Sequence, residues 1–373
     1  MFRGLTWDHP RGRNALERAA SITGVDGEPL IRWEVQPLEG FESAPIEQLA
    51  ADYDVIVLDH PHLGDALQHQ ALRAWDDLVP TAQLDALADG CVGPSLASYR
   101  MDGCTWALPL DAATQVSVRV PELVGQAPTE WEQLDSLDVP IAICLAGPHA
   151  LMNFTSLCVG LGAEPNVQPG QGFVDESVGV AAYRRLARIV SAMPADVGAL
   201  NPIALLDRMR QRRDIGYLPL VYCYVNYARA DHDQNPPLIF DDAPRVAAGG
   251  RLGSTIGGTG IGISARCRPD QALIDHLLWL LSPDTQSGFI PDHDGQPSLR
   301  SAWTDDRVNA QSGAFYRRTL ATIEDSWIRP RMAGYIGFQT SVSTLVRDAL
   351  LSGASAVSTV REINQLYDAF GNS

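Results

Sequence analysis

Lysine is absent from all 373 residues, so each of the 28 basic side chains is an arginine. That removes whole chemistries. Without a side-chain amine there is no Schiff base to pyridoxal or to a carbonyl substrate, and no P-loop lysine to hold a nucleotide's phosphates. Long apolar runs are also missing, since none approaches the ~18 residues needed to cross a bilayer. The six cysteines, Cys91, Cys104, Cys144, Cys158, Cys223 and Cys267, include no C-x-x-C pair, which argues against zinc ribbons and thioredoxin-type centres. Cys144, Cys158 and Cys223 sit among apolar neighbours, as buried free thiols do. A Cys91–Cys104 bridge is open only in an oxidising compartment. The chain holds no G-x-S-x-G, no H-E-x-x-H and no P-loop, and carboxylates adjacent in sequence, such as Asp76-Asp77, diverge rather than converge.

Positive charge is scarce as a whole: 45 Asp and Glu against 28 Arg give a net charge of −17. Such a surface repels phosphate backbones, so no nucleic-acid partner is expected. The densest basic stretch, Arg208, Arg210, Arg212 and Arg213, reads as the solvated face of a helical segment. No basic, apolar leader precedes Met1-Phe2-Arg3-Gly4-Leu5, so the sequence as it stands is expected in the cytosol, or in the periplasm or outside the cell if a leader has been removed.

What is present is a long alternation of strand and helix signals. Phe2–Trp7, Leu30–Val35 and the branched apolar run Asp54–Asp59 read as strands, with helical spacing at Asn14–Ser21 and Ile46–Ala51. Further strands are expected at Val116–Val120, Pro140–Leu145, Asp214–Tyr224 and Ile261–Ser264. Helices are expected at Thr129–Leu134, His149–Leu161, Val178–Ala192, Gln271–Leu281, Phe315–Ile323, Ser341–Ser352 and Val357–Phe370. This order predicts an α/β protein of two lobes, with loops at the carboxyl ends of parallel strands carrying ligand.

Six phrases in order carry a resemblance: Tyr53–Asp59, Ala74–Leu78, Ala107–Asp111, Pro128–Leu134, Gly257–Ser264 and Leu278–Gln286. Together they are similar to family 1 extracellular solute-binding proteins, the maltose-receptor-like components of ABC importers. The resemblance implies a two-lobed periplasmic-binding-protein-like fold of type II, each lobe a mixed sheet flanked by helices, with the ligand cleft between lobes. It implies lobe one from residues 1–110 and 262–310, and lobe two from 112–260 with the C-terminal helices of 311–373. Leu108–Asp111 and Gly257–Ser264 would be the inter-lobe crossings. The implied function is binding a small polar solute, sugar-like or acidic, for an ABC permease, by a monomer without a cofactor.

Candidate ligand contacts follow from residue type and place. Trp7, Asp8 and His9 end the first strand, where a ring can stack on a sugar face and a carboxylate can accept hydroxyl hydrogens; the plainer role is a turn closed by Pro10. Asp59, His60 and His62 with His9 are metal-ligand types, but a polar pocket wall is the plainer reading, so no metal is expected. Asp111 and Gln115 flank the first crossing, as ligand contacts or as hinge hydrogen bonds. Tyr222 and Tyr224, at i and i+2, share a strand face and offer an aromatic wall, with Asn226 beyond them. Gly257, Gly258, Thr259 and Gly260 offer unobstructed backbone N–H groups or a flexible hinge. Arg331, with Trp327 and Tyr335, supplies a late contact. An alternative reading is a cytosolic enzyme or sensor on the same clamshell, using His60, His9 and Asp8 for acid–base chemistry inside a closing cleft.

Overall fold

The computed structural model describes residues 1–22, 27–230 and 235–371. Its strands are β1 (Phe2–Trp7), β2 (Ile31–Gln36), β3 (Val55–Leu58), the short hairpin β4 (Arg100–Met101) and β5 (Cys104–Thr105), β6 (Leu108–Arg119), β7 (Tyr217–Tyr222), β8 (Ile239–Asp241) and β9 (Ile256–Ile263). The main sheet runs β2-β1-β3-β9-β6-β7, with β8 also on β6. β1 is parallel to β2 and β3, whereas β9 runs antiparallel to both β3 and β6. The chain has the expected α/β class, a mixed sheet flanked by helices.

β6 decides the architecture. Its first half, Leu108–Thr114, pairs with β9, and its second half, Gln115–Arg119, lies between β7 and β8. One strand therefore belongs to two groups of strands. All twelve of its residues are buried, which suits a strand covered on both faces. The sequence pattern suggested a crossing at Leu108–Asp111 and a separate strand at Val116–Val120. They are one element, because the register shift between Pro109 and Asp111 absorbs a proline that an unbroken ladder would not accept. The open edge of this half-strand is closed by buried side chains: Ser298 Oγ donates to the Pro109 carbonyl at 2.5 Å, and Gln296 Nε2 donates to that of Ala112 at 2.6 Å.

Where the two groups meet, a buried polar network replaces apolar packing. Thr114 Oγ1 lies 2.5 Å from Ser254 Oγ and 2.7 Å from Ser326 Oγ. Gln115 donates to Asn153 Oδ1 at 2.6 Å and accepts from Ser156 Oγ at 2.5 Å, so it braces the strands and faces no cavity. The His149–Gly160 helix carries Asn153 and Ser156 and is buried along its whole length. The C-terminal helix Tyr335–Ser352 packs against it and against Glu176–Ala192, and Ala356–Phe370 packs against Glu176–Ala192 and Tyr335–Ser352.

Other expectations need correction. Pro140–Leu145 forms no strand; Ile141 alone bridges to Tyr217, because no neighbouring ladder continues beyond it. Phe315–Ile323 is two short helices, Phe315–Arg318 and Leu320–Glu324, broken at Thr319. Gly257, Gly258, Thr259 and Gly260 lie in the paired strand β9 rather than in a loose hinge. The arginines of the Pro202–Arg212 helix are not simply solvated: Arg210 is buried, and Arg208 pairs with Asp196 at 2.6 Å and Asp214 at 2.9 Å. All six cysteines are free, so the Cys91–Cys104 bridge is not formed. Among the described residues no helix is long and apolar enough to cross a membrane.

Candidate functional site

β1 and β3 are parallel, so their carboxyl ends open on the same edge of the sheet, and the elements that follow them converge there. Trp7 ends β1. Arg11 lies in the first turn of the Pro10–Ile22 helix, which starts before the Asn14–Ser21 stretch expected from spacing. Asp59 follows β3, where its side chain caps the His60–His62 turn by accepting the His60 N–H at 2.9 Å. Opposite stand Tyr222 at the end of β7, Tyr224 two residues on, and His149 and Met152 at the start of their helix. Gly257, Gly258 and Thr259 of β9 form the floor. These residues line a small cleft of about 50 Å³ that opens on one side to solvent.

Two ion pairs frame the cavity. Arg11 grips Asp111 with two parallel hydrogen bonds, Nε to Oδ2 at 2.7 Å and Nη2 to Oδ1 at 3.0 Å, and donates a third to the Cys223 carbonyl at 2.9 Å. Both side chains are about 95% buried. Arg329 pairs with Asp59 and donates to Gln339 Oε1 at 3.1 Å. An isolated buried charge is costly, and each of these is matched by an opposite one at hydrogen-bond distance. Burial pushes the Asp59 carboxyl up, and the Arg329 guanidinium and the His60 N–H more than offset it, so it lies well below the usual carboxylate range. The aromatic walls pack edge to face: Tyr224 lies 6.1 Å from Trp7 and 5.2 Å from His9.

Of the residues expected from sequence, Trp7, Asp59, Tyr222, Tyr224, Gly257, Gly258 and Thr259 line this cavity together. The others do not, each for a local reason. Asp8 is exposed and paired with Arg13 at 2.6 Å. His9 stacks on Trp7 at 5.0 Å, its Nδ1 taken by the Arg11 N–H. His60 is fully buried behind Asp59, and His62 points its Nε2 at the Phe41 carbonyl, 3.3 Å away. Asp111 reaches the cavity only through Arg11. Arg331 turns into a neighbouring groove with Trp327, donating to the carbonyls of Ala97, Ser98 and Arg100. Tyr335 is core, and Asn226 donates to the Asp294 carbonyl at 3.3 Å. Among the described residues no group of three His, Cys, Asp or Glu is arranged to hold a metal ion. His60, His9 and Asp8 likewise do not converge on the cavity, which takes the acid–base set away from any bound solute.

Sequence reasoning missed Arg11, Glu42, His149 and Arg329. Arg11 had one usable signal, its place two residues after His9 in a loop already singled out. Arg329 lies only two residues before Arg331, within the same late segment already singled out.

The buried histidines give the site a pH dependence. Burial, reinforced by Arg329, pushes His60 down to about 4. Burial, with Arg11 nearby, pushes His9 down to about 3, and burial pushes His276 down to about 4. In the unfolded chain these rings take up protons near pH 6.5, so between that pH and about 4 the unfolded state binds more protons and stability falls with falling pH. Each ring contributes up to about 3 kcal/mol across the window. Asp59 adds a further loss below about pH 4, where the unfolded carboxylate protonates and the paired one does not. Urea denaturation at pH 7, 6, 5 and 4 should show this decline, and His60→Gln should reduce it by one ring's share while His9 and His276 keep theirs; a stability constant from 7 to 4 would contradict it.

No family model matches the sequence, and no curated protein matches it. Solved structures do match in fold. An ABC transporter solute binding protein from Agrobacterium radiobacter, in complex with ribitol, aligns over 99% of this chain and 98% of its own, with a TM-score of 0.81 and 18% identity. Maltose-bound MalE3 of T. maritima aligns over 99% of each chain, with a TM-score of 0.79 and 16% identity. UgpB from Mycobacterium tuberculosis, in complex with glycerophosphocholine, covers 100% of this chain and 98% of its own, at 0.78 and 12%. The fold is thus the two-lobed clamshell of type II periplasmic binding proteins, over its full length.

Proposed function

We propose that this chain binds a small polar solute, sugar- or polyol-like, between its lobes and presents it to an ABC permease as the substrate-binding component of an importer. The observation that carries this reading is the cavity at the β6–β9 crossing, walled by Trp7, Tyr222 and Tyr224 and framed by the Arg11–Asp111 and Arg329–Asp59 pairs. Rings supply flat apolar faces for a sugar ring, while fixed guanidinium and carboxylate groups donate to and accept from its hydroxyls. The ribitol-, maltose- and glycerophosphocholine-bound proteins of the same fold support a solute of this kind. Lobe one is assigned to residues 1–110 and 262–310, and lobe two to 112–260 and 311–373, in keeping with the change of strand partners within β6. Closure of the lobes removes water and strengthens each polar contact. The role places the protein on the outer side of the cytoplasmic membrane, facing its permease.

The test is a thermal-shift screen of the purified protein against sugars, polyols and organic acids. A ligand at 100 times its Kd should stabilise the protein by about 2.7 kcal/mol, and the compound should be recovered chemically unchanged. Recovery as a product, or no hit across the three classes, would sink the importer reading.

A further inference from the structure

We propose that the solute is a small polyhydroxylated molecule carrying one positive charge, an amino sugar or amino polyol, whose ammonium is held by Glu42 beside the cavity's aromatic rings. The inference rests on the solute-binding reading and narrows it.

The argument begins with charge. Around the cavity stand two guanidiniums, Arg11 and Arg329, and three carboxylates, Asp111, Asp59 and Glu42. Two of the carboxylates are spent on the two arginines. Glu42, on the Leu38–Ser43 helix beside Phe41, is the remaining charge, and its side chain is only 16% exposed. Among the described residues its one ion-pair partner is His149, whose Nε2 stands 3.2 Å from Glu42 Oε1 without the alignment of a hydrogen bond. A carboxylate this buried loses water contacts that only a donor can replace. An anionic solute would meet an excess of negative charge here and two arginines already committed.

The surroundings favour a cation over a neutral hydroxyl donor. Tyr222 packs edge-on to His149 at 5.7 Å, and Phe41 tilts against Trp7 at 5.9 Å, so ring faces cluster on the side where Glu42 stands. Electron-rich faces attract ammonium groups, most of all where water is excluded. Burial first, and among nearby charges Glu42, pushes the Tyr222 and Tyr224 phenols up, which puts both rings in the field of that carboxylate. Acceptor and ring faces together describe a place for an ammonium, and the hydroxyls follow from the solute-binding reading on which this inference rests.

Titration calorimetry of the full chain at pH 7 with matched pairs tests this: glucosamine against glucose, galactosamine against galactose, and 1-amino-1-deoxysorbitol against sorbitol. In at least one pair the amine should bind about ten- to a hundredfold more tightly, the gain expected of a charge-assisted hydrogen bond. Glu42→Gln should bring the two members level while the neutral member still binds, which shows that the variant is folded; Glu42→Asp, which keeps the charge, should retain the preference. Neutral members binding as well as the amines would overturn the inference and leave the solute-binding reading standing. An amine preference that survives in Glu42→Gln would overturn the role of Glu42. Binding by no member of any pair would overturn both readings.

Discussion

Replacing Asp111 by Ala is expected to destabilise the protein by about 3–5 kcal/mol, a large share of the ~5–15 kcal/mol that holds a typical domain folded. The reason is what remains behind. Arg11 keeps its charge and its burial, its side chain 4% exposed, and loses two of its three hydrogen bonds. The rings of Trp7 and Tyr224, 5.8 and 5.0 Å from the guanidinium, cover it and keep most of it from water. The double variant Arg11→Met with Asp111→Leu should recover most of that loss, because it removes both charges and fills the space with apolar atoms. Recovery should fall short of complete, as the Cys223 carbonyl then loses its donor. Urea denaturation of the two single variants and the double gives the coupling energy directly. A single variant costing under about 1 kcal/mol would mean that water reaches the pair.

Gly258→Ala should be nearly as damaging, through the backbone rather than through charge. Gly258 lies inside β9 at φ +97°, opposite Ala112, and an added Cβ would stand 2.5 Å from the Asp111 carbonyl oxygen. The conformation costs an L-residue about 1–3 kcal/mol, and forcing β6 away from β9 adds about as much again. The control is Gly103→Ala, at φ +81° in the β4–β5 hairpin with nothing within 4 Å of its Cβ. That change should cost only the conformational part. Equal losses at the two positions, read from thermal melts, would show that the β6–β9 contact yields freely. Since this contact lies under the cavity floor, Gly258→Ala should also weaken solute binding.

Much of the scaffold was legible because its signals are local. Val55–Leu58 is a continuous branched run, and it is a fully buried strand. The helix beginning at His149 and the two terminal helices were visible from apolar spacing within single elements. Misreadings fell where a local pattern needs a distant neighbour to acquire meaning. Pro140–Leu145 has a strand's composition, yet only Ile141 finds a partner. Pro109 and Asp111 break the pattern of β6, but a register shift against β9 keeps the strand whole.

The cavity divides along the same line. The rings Trp7, Tyr222 and Tyr224 were expected at strand ends because strand direction and side-chain alternation are written in the chain itself. Arg11 and Arg329 were not, because an arginine in a sequence looks like a surface residue. Whether it is buried depends on a carboxylate 100 residues away in one case and 270 in the other. By itself the sequence determined a two-lobed α/β chain without lysine chemistry, with aromatic and acidic residues at the carboxyl ends of its first strands. Only the tertiary structure decided which charges are buried, which are already paired, and that among the described residues Glu42 has no aligned hydrogen-bond partner. Burying a charge costs more than any local propensity supplies, so its place is set by the partner the fold brings to it.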